Sequence, residues 1–142
     1  MPSALDSPQQ RFLLGLSLFM IEIHFTAPTN PWSLNAERSM HWATRARHIK
    51  AWRTVAHHAA SLAPELRELG PCQVTVHLSF PRRARRDPSN YLPPCKAAID
   101  GLVDAGLWPD DNADWVTVAE PVLEIRDDGM VRVVLTPLTP QS

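Results

Sequence analysis

Alternating apolar and polar residues predict three strands along the chain. Ile21, Ile23 and Phe25 alternate with polar neighbours, which is the pattern of a strand with one buried face. The same alternation recurs over residues 74–80, and residues 131–135 form a further short apolar run. These three segments are therefore expected to contribute one face each to a common core.

A further extended segment is predicted over residues 116–125, with an interruption at Pro121, because proline cannot donate a ladder hydrogen bond. The dipeptide Asp128-Gly129 follows and is typical of a tight hairpin turn. We therefore expect this segment and the last strand to form an antiparallel pair.

A long helix is predicted over residues 41–63, which contain no proline. Apolar residues recur there at spacings of three and four, which places them on one helical face. Basic residues fall on the other side, so the helix is amphipathic with a basic outer face. The apolar positions are Ile49, Trp52, Val55 or Ala56, Ala59 and Leu62.

A second helix is expected to begin near Pro93 and Pro94, since proline is tolerated in the first turn, where its missing N–H has no helical partner. Gly106 is placed to end it in the left-handed conformation that glycine tolerates. Its apolar stripe comprises Cys95, Ile99, Leu102 and Val103.

The order of elements is therefore β-α-β-α-β-β, and the fold class expected is mixed α/β. Two strands separated by a long helix can lie parallel, so we expect a single domain with a mixed sheet and helices packed on one face. We expect this domain to span residues 20–138, with a short tail at 139–142. Residues 1–19 are expected to be an extension, with Met20 as an alternative start to Met1.

The apolar run at residues 12–21 is half the length needed to span a bilayer. It lacks the basic leader and cleavage site of a signal peptide, so we expect neither secretion nor a membrane anchor. The two cysteines are too few for a disulfide framework. A cytoplasmic protein is the expectation.

The 142 residues carry a net charge of only −1, but the two signs are separated along the chain. Residues 38–86 hold ten Lys or Arg against two Glu, whereas residues 87–128 hold ten Asp or Glu against one Lys and one Arg. Guanidinium groups clamp phosphate, and clustered carboxylates hold a hard divalent cation. The two halves together favour phosphodiester chemistry.

A specific motif lies at the junction of these halves, in residues 81–111. An arginine run ends in Arg86-Asp87 and is followed by Asn90. Lys96 stands four residues before Asp100. The motif closes with Gly106-Leu107-Trp108 and the pair Asp110-Asp111. This combination resembles the signature of the RusA-like Holliday junction resolvases. The loop residue Asn35 and the basic helix after it also fit the layout of that family.

The resemblance implies a homodimeric endodeoxyribonuclease that binds four-way DNA junctions and hydrolyses paired phosphodiester bonds. It implies Mg2+ as the cofactor, with Mn2+ as an alternative ion. Asp87 and Asp111 correspond to essential carboxylates and Lys96 to a catalytically important lysine. The expected metal ligands are Asp87 and Asp111, joined by Asp110.

The chain departs from the family pattern at Ser89, where the family often has a second aspartate, and by about three extra residues before Lys96. A hydroxyl is a poorer Mg2+ ligand than a carboxylate, and Asp110 or Asp114 is the candidate for the missing oxygen. A junction-binding module with weak or no cleavage is therefore the alternative. An unrelated metal-dependent phosphohydrolase acting on small phosphates is a further one, which the extended basic face disfavours.

Eight basic residues are expected to contact DNA phosphates without reading sequence. Four lie in the arginine run and four on the first long helix. They are Arg82, Arg83, Arg85, Arg86, Arg45, Arg47, Lys50 and Arg53.

Five tryptophans are candidates for stacking on bases opened at a junction. The spacing of Trp52 and the motif position of Trp108 favour core or dimer contacts for those two. The others are Trp32, Trp42 and Trp115.

Overall fold

The computed structural model describes residues 20–138 and confirms the mixed α/β fold. Helix α1 spans Leu34–Ser39, α2 spans Trp42–Ser61 and α3 spans Leu92–Asp104, with short 3-10 turns at Pro64–Leu66 and Pro88–Tyr91. The strands are β1 (Ile21–Thr26), β2 (Cys72–Phe80), β3 (Val116–Val118), β4 (Val122–Ile125) and β5 (Met130–Pro137). The expected extension at residues 1–19 and tail at 139–142 lie outside the described residues.

The sheet is mixed, with β5 near its centre. β5 pairs antiparallel with β1 on one side and with β2 on the other. β3 and β4 both pair parallel with the far edge of β2. The two strands that flank the long helix, β1 and β2, thus run in the same direction but are separated by β5.

The predicted hairpin at Asp128-Gly129 is wrong. β4 and β5 run in opposite directions, but β2 lies between them. The connection crosses the end of β2, where the N–H of Arg126 donates to the carbonyl of Phe80 at 2.8 Å. Asp128-Gly129 does form a turn, with Gly129 at φ +66°. The local turn signal was correct, but it carries no information on which strand each arm pairs with.

One face of the sheet supplies the core. The alternating residues of β1, β2 and β5 are buried and share a hydrophobic cluster with residues of α2 and α3. Trp52 and Trp108 are almost fully buried, as is the free thiol of Cys95. Burial raises the pKa of Cys95 to about 12. These three residues are therefore core components.

The buried residues of α2 and α3 follow the predicted apolar spacing, except at the C-terminal end of α2. In α2, Trp52, Ala56 and Ala60 are buried. Leu62 is the C-cap residue of this helix and is 73% exposed. Leu62 therefore follows the apolar spacing of α2 but is exposed at its C-terminal cap. Gly106 has φ +93° and follows α3 as expected.

Helices α2 and α3 pack side by side and run in the same direction. Ile49 lines a groove together with Lys96 and Ala97, and one turn later Arg53 bonds Asp104 near the end of α3. Both helices therefore begin at the same end of the molecule. In the part of the chain that the structure describes, no helix is long and apolar enough to cross a membrane.

Candidate functional site

Lys96 and Asp111, fifteen residues apart, are paired at the surface. The Nζ of Lys96 donates to the carboxylate of Asp111 and also to Oδ1 of Asp100 at 2.8 Å. Asp100 is one helical turn further along α3, so this second bond is an ordinary i, i+4 pair. The bond to Asp111 instead connects α3 to a separate segment of the chain, the turn before β3.

Hydrogen bonds stabilise the turn that contains Asp111. The indole N–H of Trp108 donates to the carbonyl of Gly70 at 2.7 Å, which fixes the start of the turn in the core. Asp110 uses Oδ1 to accept from the N–H of Asp111 and Oδ2 to accept from the side chain of Asn112. Asp110 therefore stabilises the turn, and Asp111 is the residue that faces α3.

Asp87 begins the 3-10 turn that leads into α3. Its Oδ1 accepts from the N–H of Ser89 at 3.2 Å and from the hydroxyl of Ser89 at 2.9 Å. Among the described residues, its Oδ2 has no hydrogen-bond partner. Ser89 thus contacts Asp87 directly.

The arginine run divides into exposed and anchored members. Arg82, Arg83 and Arg85 are exposed. Arg86 is half-buried, with its guanidinium 4.1 Å above the ring of Phe80 and a hydrogen bond to the carbonyl of Arg82. Arg86 therefore holds the loop in shape, and the first three arginines extend from it into solvent.

The predicted basic face of α2 is present, and one of its members is already paired. Arg45, Arg47 and Lys50 are exposed. Arg53 makes a two-pronged ion pair with Asp104 of α3, at 2.6 and 2.8 Å. The hydrogen bond from Arg53, opposed by partial burial, holds the pKa of Asp104 below its usual value. In this arrangement Arg53 joins the two helices.

Two apolar grooves flank Lys96. One, of about 400 Å³, runs between α1, α2 and α3 and includes Leu34 and Ile49. The other, of about 240 Å³, includes Ile99, Asp111 and Val118. Lys96 lines both grooves, whereas Asp111 lines only the second.

Asn35 was expected in a loop, but it lies in α1 with an exposed side chain. Ser33 caps this short helix by accepting from the N–H of Ala36 at 3.0 Å. The serine is a recognisable helix-capping signal, and it was obscured by the two prolines that precede it.

A polar network on the open face of the sheet was missed by sequence reasoning. Arg132 of β5 bonds Glu22 of β1 at 3.0 Å and Glu124 of β4 at 3.1 Å. His77 of β2 lies 3.0 Å from the same Glu124 oxygen. Burial alone would raise the pKa of Glu124, but its bonds to Arg132 and His77 outweigh this and lower it. The network links four strands, and only their pairing brings these residues together.

The chemistry of the carboxylates at this end of the molecule fits Mg2+ in part. Mg2+ prefers oxygen ligands, keeps several waters and often uses only one or two protein carboxylates together with phosphate oxygens. Asp87 and Asp111 are oxygen donors of this kind. Within residues 20–138, however, no group of three or more His, Cys, Asp or Glu is placed to hold a metal ion. The expected trio of Asp87, Asp110 and Asp111 is thus not assembled among these residues, and both oxygens of Asp110 accept hydrogen bonds within its own turn.

No protein-family model matches this chain, and no curated protein sequence matches it. The fold and site define a mixed α/β protein with a surface lysine–aspartate pair and an exposed cationic loop. What can be inferred of its function therefore comes from these residues and their geometry.

Proposed function

We propose that the chain is a RusA-like, Mg2+-dependent, structure-selective endodeoxyribonuclease that resolves four-way DNA junctions. The observation that carries the proposal is the bond between Lys96 and Asp111. These are two positions of the motif, fifteen residues apart, and their contact supports the interpretation that the motif describes one site.

In this proposal the exposed cations bind the DNA backbone. Arg82, Arg83 and Arg85, together with the basic face of α2, neutralise phosphates of the duplex arms. Arg86 and Arg53 contribute less to DNA binding, because each already has a partner within the protein. A homodimer in the cytoplasm would present two such surfaces to the arms of one junction.

Asp87 and Asp111 would hold Mg2+, with water and phosphate oxygens completing its shell. When bound, the ion neutralises charge on the scissile phosphate and lowers the pKa of a water molecule. Lys96 places a positive charge beside Asp111 and stabilises negative charge on a phosphate held there. Its bond to Asp100 keeps the ammonium in position.

A junction-binding module without strong cleavage is the second candidate. It is favoured by the hydrogen bond from the Ser89 hydroxyl to Asp87, which puts a neutral group where a second carboxylate would strengthen metal binding. This candidate would bind junctions through the same cationic surface as the nuclease and would differ from it only in lacking strong phosphodiester cleavage.

Cleavage assays on synthetic four-way junctions and matched linear duplexes, with and without Mg2+, separate these candidates. We expect paired nicks in junctions that require Mg2+ and are lost in Asp87→Asn and Asp111→Asn. Asp127→Asn is the matched control, because Asp127 is an exposed aspartate outside the site. Junction binding without cleavage would favour the binding module, and indifference to DNA would leave a phosphohydrolase for small substrates.

A further inference from the structure

Trp42, the first residue of α2, carries an unusually exposed indole. Its side chain is 70% exposed, whereas Trp52 of the same helix is fully buried. Burying an aromatic ring is strongly favourable, so an indole left in solvent at a fixed position is a candidate contact for a ligand.

The imidazole ring of the neighbouring His41 packs beside this indole. The His41 and Trp42 rings are 5.5 Å apart and inclined by 32°. Nδ1 of His41 accepts from the N–H of Ala43 at 3.1 Å and caps the helix. The imidazole is therefore fixed by the backbone, and the two rings form a braced aromatic surface.

The charge around this surface is complementary to nucleic acid. Arg38 lies near the end of α1, three residues before His41, and Arg45 lies in α2, three residues after Trp42; both are exposed. Aromatic faces interleaved with arginines are the combination that binds unpaired bases, since the rings stack on bases while the cations follow the backbone.

Helix geometry gives the position of Trp42 relative to Ile49, a residue that lies beside Lys96. Residues seven apart share a face of a helix, so Trp42 lies on the same face as Ile49, which lines the groove beside Lys96. Trp42 precedes Ile49 by seven residues, so it lies about 10 Å nearer to the end of the molecule at which both helices begin. That span is equivalent to roughly three nucleotides of a stacked strand, at about 3.4 Å each.

We infer that Trp42, braced by His41, stacks on a base left unstacked at the branch of branched DNA, a few nucleotides from the Lys96–Asp111 pair. The inference rests on the proposed function for the identity of the ligand. It adds a residue that distinguishes branched DNA, which has unstacked bases, from a continuous duplex, which has none to offer.

The test compares DNA binding in EDTA, so that no cleavage occurs. The probes are a four-way junction with 2-aminopurine at the branch, a single-stranded oligonucleotide and a linear duplex. Trp42→Ala should weaken binding to the first two by about 5- to 100-fold and leave duplex binding within about twofold. Trp42→Phe should retain most of the affinity and the 2-aminopurine quenching.

Leu62→Ala is the matched control, because Leu62 is an equally exposed apolar residue at the opposite end of the same helix. It should change none of the three affinities, and circular dichroism should show that every variant is folded. Equal loss on duplex and junction, or no loss on either, would overturn the inference. A selective loss in a protein that binds but does not cleave junctions would retain the inference and reject the nuclease activity.

Discussion

Gly101 of α3 lies directly against the main chain of α2 at Arg53. A Cβ at position 101 would meet the Arg53 carbonyl oxygen closer than real Cβ atoms approach, and it would lie 2.8 Å from the Cβ of Ala56. Only glycine allows the two helices this separation. Since α3 carries Lys96 and α2 carries the basic face, this contact sets the distance between the two parts of the site.

Gly101→Ala should therefore destabilise the protein, although alanine is the better helix former by about 1 kcal/mol. Overpacking typically costs about 1–3 kcal/mol, and a clash with main-chain atoms lies at the upper end of this range. After the gain in helix propensity is subtracted, the net loss in the free energy of unfolding should be about 2 kcal/mol. Urea denaturation followed by circular dichroism measures it. Thr54→Ala, an exposed change on α2, should stay within about 0.5 kcal/mol. A Gly101→Ala variant as stable as the parent would contradict the close contact.

The Arg53–Asp104 pair should make stability depend on pH. The pKa of Asp104 is lowered, chiefly by the hydrogen bond from Arg53, so the pair stabilises the fold above the unfolded pKa of about 3.9. That stability is lost as the pH falls through the lower, folded pKa. The side chains are 47% and 31% exposed, so solvent screening limits the contribution to about 1 kcal/mol or less.

Asp104→Asn should accordingly be less stable than the parent at pH 7, and the difference should shrink as the pH is lowered below about 4. Urea denaturation across this pH range is the measurement. Asp127→Asn, at an exposed position outside the pair, should show no such trend. A difference that persisted unchanged in acid would show that the pair is not the cause.

The exposed arginines of the loop should govern the salt dependence of DNA binding. Each arginine that contacts a phosphate contributes roughly 0.9 to the slope of log affinity against log salt. Replacing Arg82, Arg83 and Arg85 together with glutamine should therefore reduce the slope by up to about 2.7. Arg67→Gln is the control, because Arg67 lies near Gly106 beyond the other end of α3. An unchanged slope in the triple variant would remove these residues from the interface.

Ser89→Asp should strengthen Mg2+ binding, since the hydroxyl of Ser89 is 2.9 Å from Oδ1 of Asp87. A carboxylate there would add a charged oxygen ligand, and affinity rises with ligand charge. We expect a gain on the order of tenfold, measured by calorimetric titration. Asparagine has the shape of aspartate without its charge, so Ser89→Asn should show no gain in Mg2+ affinity. Identical titrations for the two variants would mean that position 89 does not face the ion.

Local patterns predicted the elements of the fold well, because burial alternates along β1 and β2 and recurs at helical spacing in α2. They failed where the outcome depends on partners distant in the chain. Asp128-Gly129 marked a real turn, but nothing in it indicates that β4 pairs with the far edge of β2.

In the candidate site, too, the sequence predicted some relationships and missed those that depend on contacts between distant residues. The motif placed Lys96 and Asp111 in one site, and the structure brings them into contact. Composition alone could not show that Arg53 is paired with Asp104 or that Arg86 packs on Phe80. Charge marks a residue as a candidate for binding DNA, and its neighbours in space decide whether it is available.

The central position of β5 has a consequence for how the protein is made. β5 is the last described strand to be synthesised, yet it is the strand that joins β1 to β2. Glu22 and its partner Arg132 are 110 residues apart, a delay on the order of 5–20 s at ordinary rates of translation. Until β5 leaves the ribosome, β1 has no neighbour to pair with, so the nascent chain must keep an apolar strand from aggregating while it waits.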